Sequence, residues 1–258
     1  MNSNQSLEEQ TRQSEKTGAL SREVLNIAYT QTRVLPSSSQ VLKNNRLISP
    51  LLPGKWLESY RMLRTRCLQT MDNIGWQTVA ITSTRNKTGN SLMAANLAIS
   101  IAMEIDRTVL LVDANFLNPG IHKLFGFAPE AGLSDYLLEN RELSSLLINP
   151  GIDRLVILPA GKPIFNSAEM LHSIKMQRLL TELKSRYPAR TIIFDLPPIL
   201  SQDDALGFAP YADCVMLVVD EGETKTSDLK EATALLKDCQ LLGTVFNKST
   251  DNKIRFTD

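Results

Sequence analysis

Two features of this chain could do phosphate chemistry: a polar loop between an apolar run and a helical one, and aspartates that close later apolar runs. The loop is Thr84-Arg85-Asn86-Lys87-Thr88-Gly89-Asn90-Ser91, set between QTVAITS (77–83) and LMAANLAISIA (92–102). Strand, loop and helix in that order curl backbone N–H groups round a phosphate, and the amino end of the helix adds positive potential. A Lys on the terminal phosphates and a Ser or Thr hydroxyl on Mg²⁺ complete such a site. Gly89 and Ser91 fit the pattern. Asn90 stands where the Lys belongs, and Lys87 stands where these loops prefer Gly, a residue that accepts φ > 0.

The carboxylates come later. Asp113 closes VLLVD and Asp195 closes IIFD, just before Leu-Pro-Pro. An apolar strand ending in Asp is how a phosphate-transferring protein places a carboxylate beside Mg²⁺ and its waters. Either one alone could simply cap the segment after it, but the two in order after the loop make a constellation. Asn247 ends the run LLGTVFNK (241–248), where its side-chain amide could read the edge of a purine.

These residues need elements to hold them. Beyond Gly75 the chain alternates apolar runs at 77–83, 108–114, 154–160, 191–197, 213–220 and 241–248 with helical stretches near 91–105, 134–147, 167–186, 203–209 and 226–239. That alternation predicts an α/β fold, a mostly parallel sheet flanked by helices. Ligands in such sheets bind beyond the carboxyl ends of the strands, where the loop, Asp113, Asp195 and Asn247 all fall. Ahead of the sheet, Leu57, Tyr60, Leu63, Cys67, Leu68 and Met71 recur at three- and four-residue steps, predicting one amphipathic helix over 56–72. Residues 1–20 are polar and predict a disordered tail, 21–55 an extended arm, 56–250 the folded domain and 251–258 a short tail.

Composition bounds the partners. The chain has 258 residues, 28 basic and 28 acidic, and this balance argues against life on nucleic acid. Cys67, Cys214 and Cys239 are odd in number and widely spaced, which suits a reduced compartment and neither a disulfide framework nor a zinc site. No run reaches the roughly 18 to 20 apolar residues of a membrane span, so any membrane role is expected to come through a partner.

Assembled, these residues resemble the bacterial tyrosine kinase family of capsule and exopolysaccharide loci, in its stand-alone cytoplasmic form. The resemblance spans residues 25–250 and rests on separated blocks. They include ESYRMLRTRCLQTM (58–71), LLVDANFLNPGIHKLFG (110–126), GLSDYL (132–137), LPAGKPIFNSAEML (158–171), IIFDLPP (192–198), DDAL (203–206) and GTVFNK (243–248). It implies a P-loop NTPase fold akin to the partition ATPases, with ATP and Mg²⁺ as cofactors. The loop residues 84–91 and Asn247 would lie on nucleotide. Ser91, Asp113 and Asp195 would lie on the metal, with the two aspartates catalytic. Glu58, Arg61 and Arg64 match the family's E-x-x-R-x-x-R ring motif and imply a homo-oligomer or a ring with a paralogue. The bare reading of those three is an exposed helix face with weak ion pairs. The implied partner is a membrane polysaccharide chain-length (co-polymerase) protein, and the implied place is the inner face of the membrane.

Four departures fall on chemistry. The loop lysine is Asn90, and the loop glycine is Lys87. The second motif, Asp-x-Asp-x-Arg in the family, reads Asp113-Ala114-Asn115-Phe116-Leu117. The tyrosine-rich tail is missing, since Tyr29, Tyr60, Tyr136, Tyr187 and Tyr211 all lie upstream. The expectation is a regulator of exopolysaccharide synthesis or export with impaired ATP binding and phosphotransfer. The alternatives are an active tyrosine autokinase, with Lys87 or Arg85 standing in for the lysine, and a partition or placement ATPase.

Overall fold

The structure, a computed structural model, describes residues 32–49, 54–186 and 189–249. The expected tails at 1–20 and 251–258, and the start of the arm, lie outside the described residues. Eight strands form one sheet in the order β1-β4-β5-β3-β6-β2-β7-β8. These are β1 (Arg33–Val34), β2 (Thr78–Ser83), β3 (Thr108–Asp113), β4 (Ile148–Asn149), β5 (Leu155–Leu158), β6 (Arg190–Asp195), β7 (Cys214–Asp220) and β8 (Leu241–Asn247). All neighbours run parallel except β4 and β5.

The central strands read as unbroken apolar runs because both faces are covered. Ala80, Leu110, Val112, Val215 and Leu217 enter one core, while Val79, Ile81, Val109, Leu111, Met216 and Val218 enter the other. Successive residues thus point to opposite faces, as a strand requires. The edge strand β8 is the exception: it is only partly buried, and Phe246 is largely exposed. Cys67 and Cys214 are buried without a disulfide, and burial pushes both thiols up to about 12.

The helices in chain order are α1 (Ser39–Asn44), α2 (Gly54–Ile74), α3 (Asn90–Ala102), α4 (Ile121–Phe125), α5 (Leu133–Glu139), α6 (Leu143–Leu146), α7 (Ser167–Leu171), α8 (Ile174–Arg186), α9 (Asp204–Phe208) and α10 (Thr226–Leu235). Two stretches expected as single helices are broken. Asn140, at φ +57°, ends α5. Ser173 ends the turn after α7 and accepts the Met176 amide at 3.2 Å, which starts α8. The stripe predicted on α2 is real: Tyr60, Cys67, Leu68 and Met71 are buried, and Leu57 and Leu63 pack against the same core.

The described part of the arm is packed rather than free. β1 pairs with β4 at the sheet edge, and Leu42, Leu47 and Ile48 are buried in the core shared by α2 and α3. Asn96, fully buried in the middle of α3, accepts the Ile48 amide at 2.7 Å and donates to the Arg46 carbonyl at 3.0 Å.

Candidate functional site

The loop leaves β2 at Ser83 and enters α3 at Asn90. Two of its residues lie in the left-handed region, Lys87 at φ +64° and Gly89 at φ +97°. Lys87 was expected to resist this conformation. It adopts it instead, at a cost on the order of 1 kcal/mol for a residue with a Cβ. Two donors from the end of β8 hold the loop's carbonyls. Asn247 Nδ2 donates to Thr88 O at 2.8 Å, and Lys248 Nζ donates to Lys87 O at 2.7 Å. A Cβ on Gly89 would meet Asn247 Nδ2 at 2.5 Å, so this approach needs glycine. Within the loop, Thr88 Oγ1 and Ser83 Oγ both donate to Arg85 O. The first amides of α3 have no carbonyl within the helix to bond and face the loop.

Asn90 closes the centre of the site. Its Nδ2 donates to Asp195 Oδ1 at 3.0 Å and to Leu196 O at 2.7 Å, and the residue is buried. The other oxygen of Asp195, Oδ2, is buried and has no hydrogen-bond partner of good geometry among the described residues. Asp113 and Asp195 are register partners at the ends of adjacent parallel strands, and both are fully buried. Asp113 is well satisfied: it accepts the Asn115 amide on Oδ1 at 3.2 Å, and the Gly120 and Ile121 amides on Oδ2 at 3.0 Å each.

Two carboxyls so placed cannot both ionise cheaply. Burial first, then the charge of Asp113, raises Asp195 well above the usual carboxylate range, opposed more weakly by the side chains of Ser91 and Asn90. Burial also pushes Asp113 up to about 6, against its three amide bonds and Lys123. A lysine at position 90 would bring a positive charge beside both. The neutral amide satisfies one oxygen and supplies none.

The remaining candidates fall as follows. Ser91 is half-buried on the first turn of α3. Its hydroxyl would lie 3.6 Å from a Cβ on Gly120, so it faces the loop that holds Asp113. Thr84 is buried, and its hydroxyl lies 3.4 Å from that of Thr224. Asn86 is exposed. Of the two cations weighed as substitutes for the lysine, Arg85 is turned onto Glu223, bonding its carbonyl at 3.0 Å and its carboxylate at 2.9 Å, while Lys87 is exposed. In the second motif, Asn115 spends its side-chain oxygen on the Asn118 amide, and Leu117, in the arginine's place, is 38% exposed. Asn247, expected on a purine, has its amide on the loop. The structure thus brings residues 84–91, Asp113, Asp195 and Asn247 to one end of the sheet.

The ring-motif residues lie elsewhere and divide. Glu58 and Arg61 are exposed on α2. Arg64 is half-buried, with Nη1 on Ser100 O at 3.0 Å and Nη2 on Glu104 at 2.9 Å, so it clamps α2 to the carboxyl end of α3. Sequence reasoning missed the bracing set of Asp220, Glu223, Thr224 and Lys248. Asp220 accepts from Thr224 and pairs with Lys248. The available signal was Asp220 itself, which closes an apolar run in the same way as Asp113 and Asp195.

Comparison with known proteins gives the chain a family. No protein-family model matches the chain. A tyrosine-protein kinase of Bacillus subtilis, YwqD, is 33% identical over 192 residues, covering 74% of this chain and 80% of its own. The chain belongs to the bacterial tyrosine-protein kinase family. The succinoglycan biosynthesis transport protein ExoP of Rhizobium meliloti is 28% identical over 216 residues, 81% of this chain but only 27% of ExoP. Among solved structures, the chimerical protein CapA2B2 superposes with a TM-score of 0.72 at 26% identity, covering 85% of this chain and 94% of that one. The likeness covers most of the chain, and the fold is that of this kinase family. Among the described residues, no helix is long and apolar enough to cross a membrane.

Proposed function

We propose that this protein is a kinase-family regulator of exopolysaccharide or capsule production whose own ATP binding and phosphotransfer are impaired. It acts by contact, as a ring-forming homo-oligomer or with an active paralogue, at the inner face of the membrane through a polysaccharide co-polymerase. The observation that carries the reading is the Asn90 amide bonded to Asp195 and Leu196 at the lysine's position, beside two buried carboxyls with no cation among them. Phosphoryl transfer depends on positioning and on neutralising charge round the phosphates. With the lysine gone and Leu117 in place of the arginine, Mg-ATP meets the two acids without the charges that the family pattern sets there, while Arg85 is engaged by Glu223 and Lys87 is exposed. Losing one such preorganised donor costs on the order of 10² to 10³ in rate. The role in polysaccharide production draws on the relatives: one is a succinoglycan biosynthesis transport protein in which the matching segment is part of a much longer chain.

The test is label transfer. Purified protein incubated with γ-labelled Mg-ATP, alone and with a tyrosine-rich peptide, should leave tyrosine unlabelled. Label on tyrosine at rates normal for a kinase sinks the reading. For assembly, Glu58→Arg and Arg61→Glu should lower the mass seen by light scattering. Arg64 is left out of that test because it is engaged within the chain.

One observation favours a second reading, an active autokinase with an altered loop. The loop keeps a tight turn, with Lys87 and Gly89 both left-handed, and turns of this kind present successive amides to an anion. Binding of nucleotide without transfer would place the protein between the two.

A further inference from the structure

Asp113 owes its position to α4. That helix has only five residues, too few to persist by its own hydrogen bonds. Its amino end supplies the Gly120 and Ile121 amides that hold Asp113 Oδ2. Its carboxyl end would leave carbonyls open, and these are taken up from a distant part of the sequence. Ser37 Oγ donates to Phe125 O at 2.7 Å, and Asn45 Nδ2 donates to Leu124 O at 2.8 Å and Lys123 O at 3.2 Å. Packing follows the same path, since Leu42 and Leu47 share a core with Ile121 and Phe125. Gly126, which ends α4 at φ +74°, lies so close to α1 that a Cβ there would sit 2.6 Å from Val41 Cγ1.

We propose that the strap formed by residues 33–48 is a positioning device for the site, with Ser37 and Asn45 holding Asp113 in place through α4. Neither residue approaches Asp113 itself. Each completes the far end of a short helix whose near end grips the carboxylate, so loosening one end loosens the other. The strap is anchored upstream by the two-residue pairing of β1 with β4 and downstream by Asn96 in the loop helix α3. It therefore touches both helices that line the site, and whatever lifts it from the sheet edge releases Asp113.

The experiment is amide hydrogen exchange on the full chain, comparing wild type with Asn45→Asp, which keeps the side chain's size and removes its donor. Exchange at Gly120 and Ile121 should speed up about tenfold, the loss of one hydrogen bond's worth of protection, while β2 and β3 stay unchanged. Ser37→Ala, which leaves the hydrogen bonds of α1 intact, should act in the same direction and serves if the Asp variant does not fold. Arg64→Ala, which disturbs α3 from its other end, should leave Gly120 and Ile121 as they are. Faster exchange confined to 123–127, or spread evenly over the sheet, overturns the proposal, because the two ends of α4 would then be uncoupled.

Discussion

The two sides of the strand-end site are built from different materials. On the acid side, Asp113 is held by three main-chain amides, and its alignment with Asp195 comes from the register of β3 and β6. On the loop side, charge neutralisation rests on a single side chain at position 90. Backbone-built features survive substitution because most residue types carry the same N–H. A side-chain charge is lost in one step. The contrast supports the proposed reading, in which the carboxylates stay in order while a neutral amide faces one of them. It also leaves two buried acids side by side, one of them with an oxygen that no described residue satisfies.

The comparison can be broken most sharply at Gly120. Gly120→Pro removes the amide on Asp113 and forces φ away from −125°, and should cost more than about 3 kcal/mol in chemical denaturation. Gly120→Ala keeps the N–H and meets nothing nearer than Ser91 Oγ at an ordinary 3.6 Å, so it should stay within about 1 kcal/mol of wild type. Equal losses from the two would mean that the amide is not what holds the acid.

The next effect is electrostatic. Both acids keep their protons to higher pH in the fold than in the unfolded chain, so the folded state binds more protons and stability falls as pH rises. The window runs from the usual carboxylate range through about 6, where Asp113 titrates, and beyond for Asp195. Asp195→Asn should flatten that slope, so that the variant gains on wild type as pH rises from about 4.5 to about 7.5. Parallel stability curves for the two proteins would show that the pair carries no such strain. The smallest effect belongs to the loop's outer bracing. The Arg85–Glu223 pair is open to solvent, at 44% and 63% exposure, so Arg85→Ala should change stability by about 0.5 kcal/mol or less. A loss well above that in thermal melts would mean that exposed side chains hold the loop's shape.

The same contrast governs what could be read from the sequence. The strands were legible because burial on both faces writes β3 and β6 as largely apolar runs, and the aspartates that close them mark the site. Asn90 was legible as a missing charge. Its two hydrogen bonds were not, because Leu196 O and Asp195 meet it only across the sheet. Lys87 misled in the other direction: residue preference argues against φ > 0, but the fixed ends of the loop impose it. The helix α4 has no periodicity to read in five residues, and its support from Ser37 and Asn45 comes from 88 and 79 positions away. Arg64 was half-legible. Three-residue steps retreat roughly 60° round a helix each time, so Arg64 lies about 120° from Glu58, toward the packed face.

The most direct measurement is a paired calorimetric titration of Mg-ATP into wild type and Asn90→Lys. Wild type should give little or no heat, and the variant should bind at least ~10²-fold tighter, about 3 kcal/mol, because the lysine restores a charge beside the retained acids. Micromolar binding by wild type, left unimproved by the lysine, would contradict it.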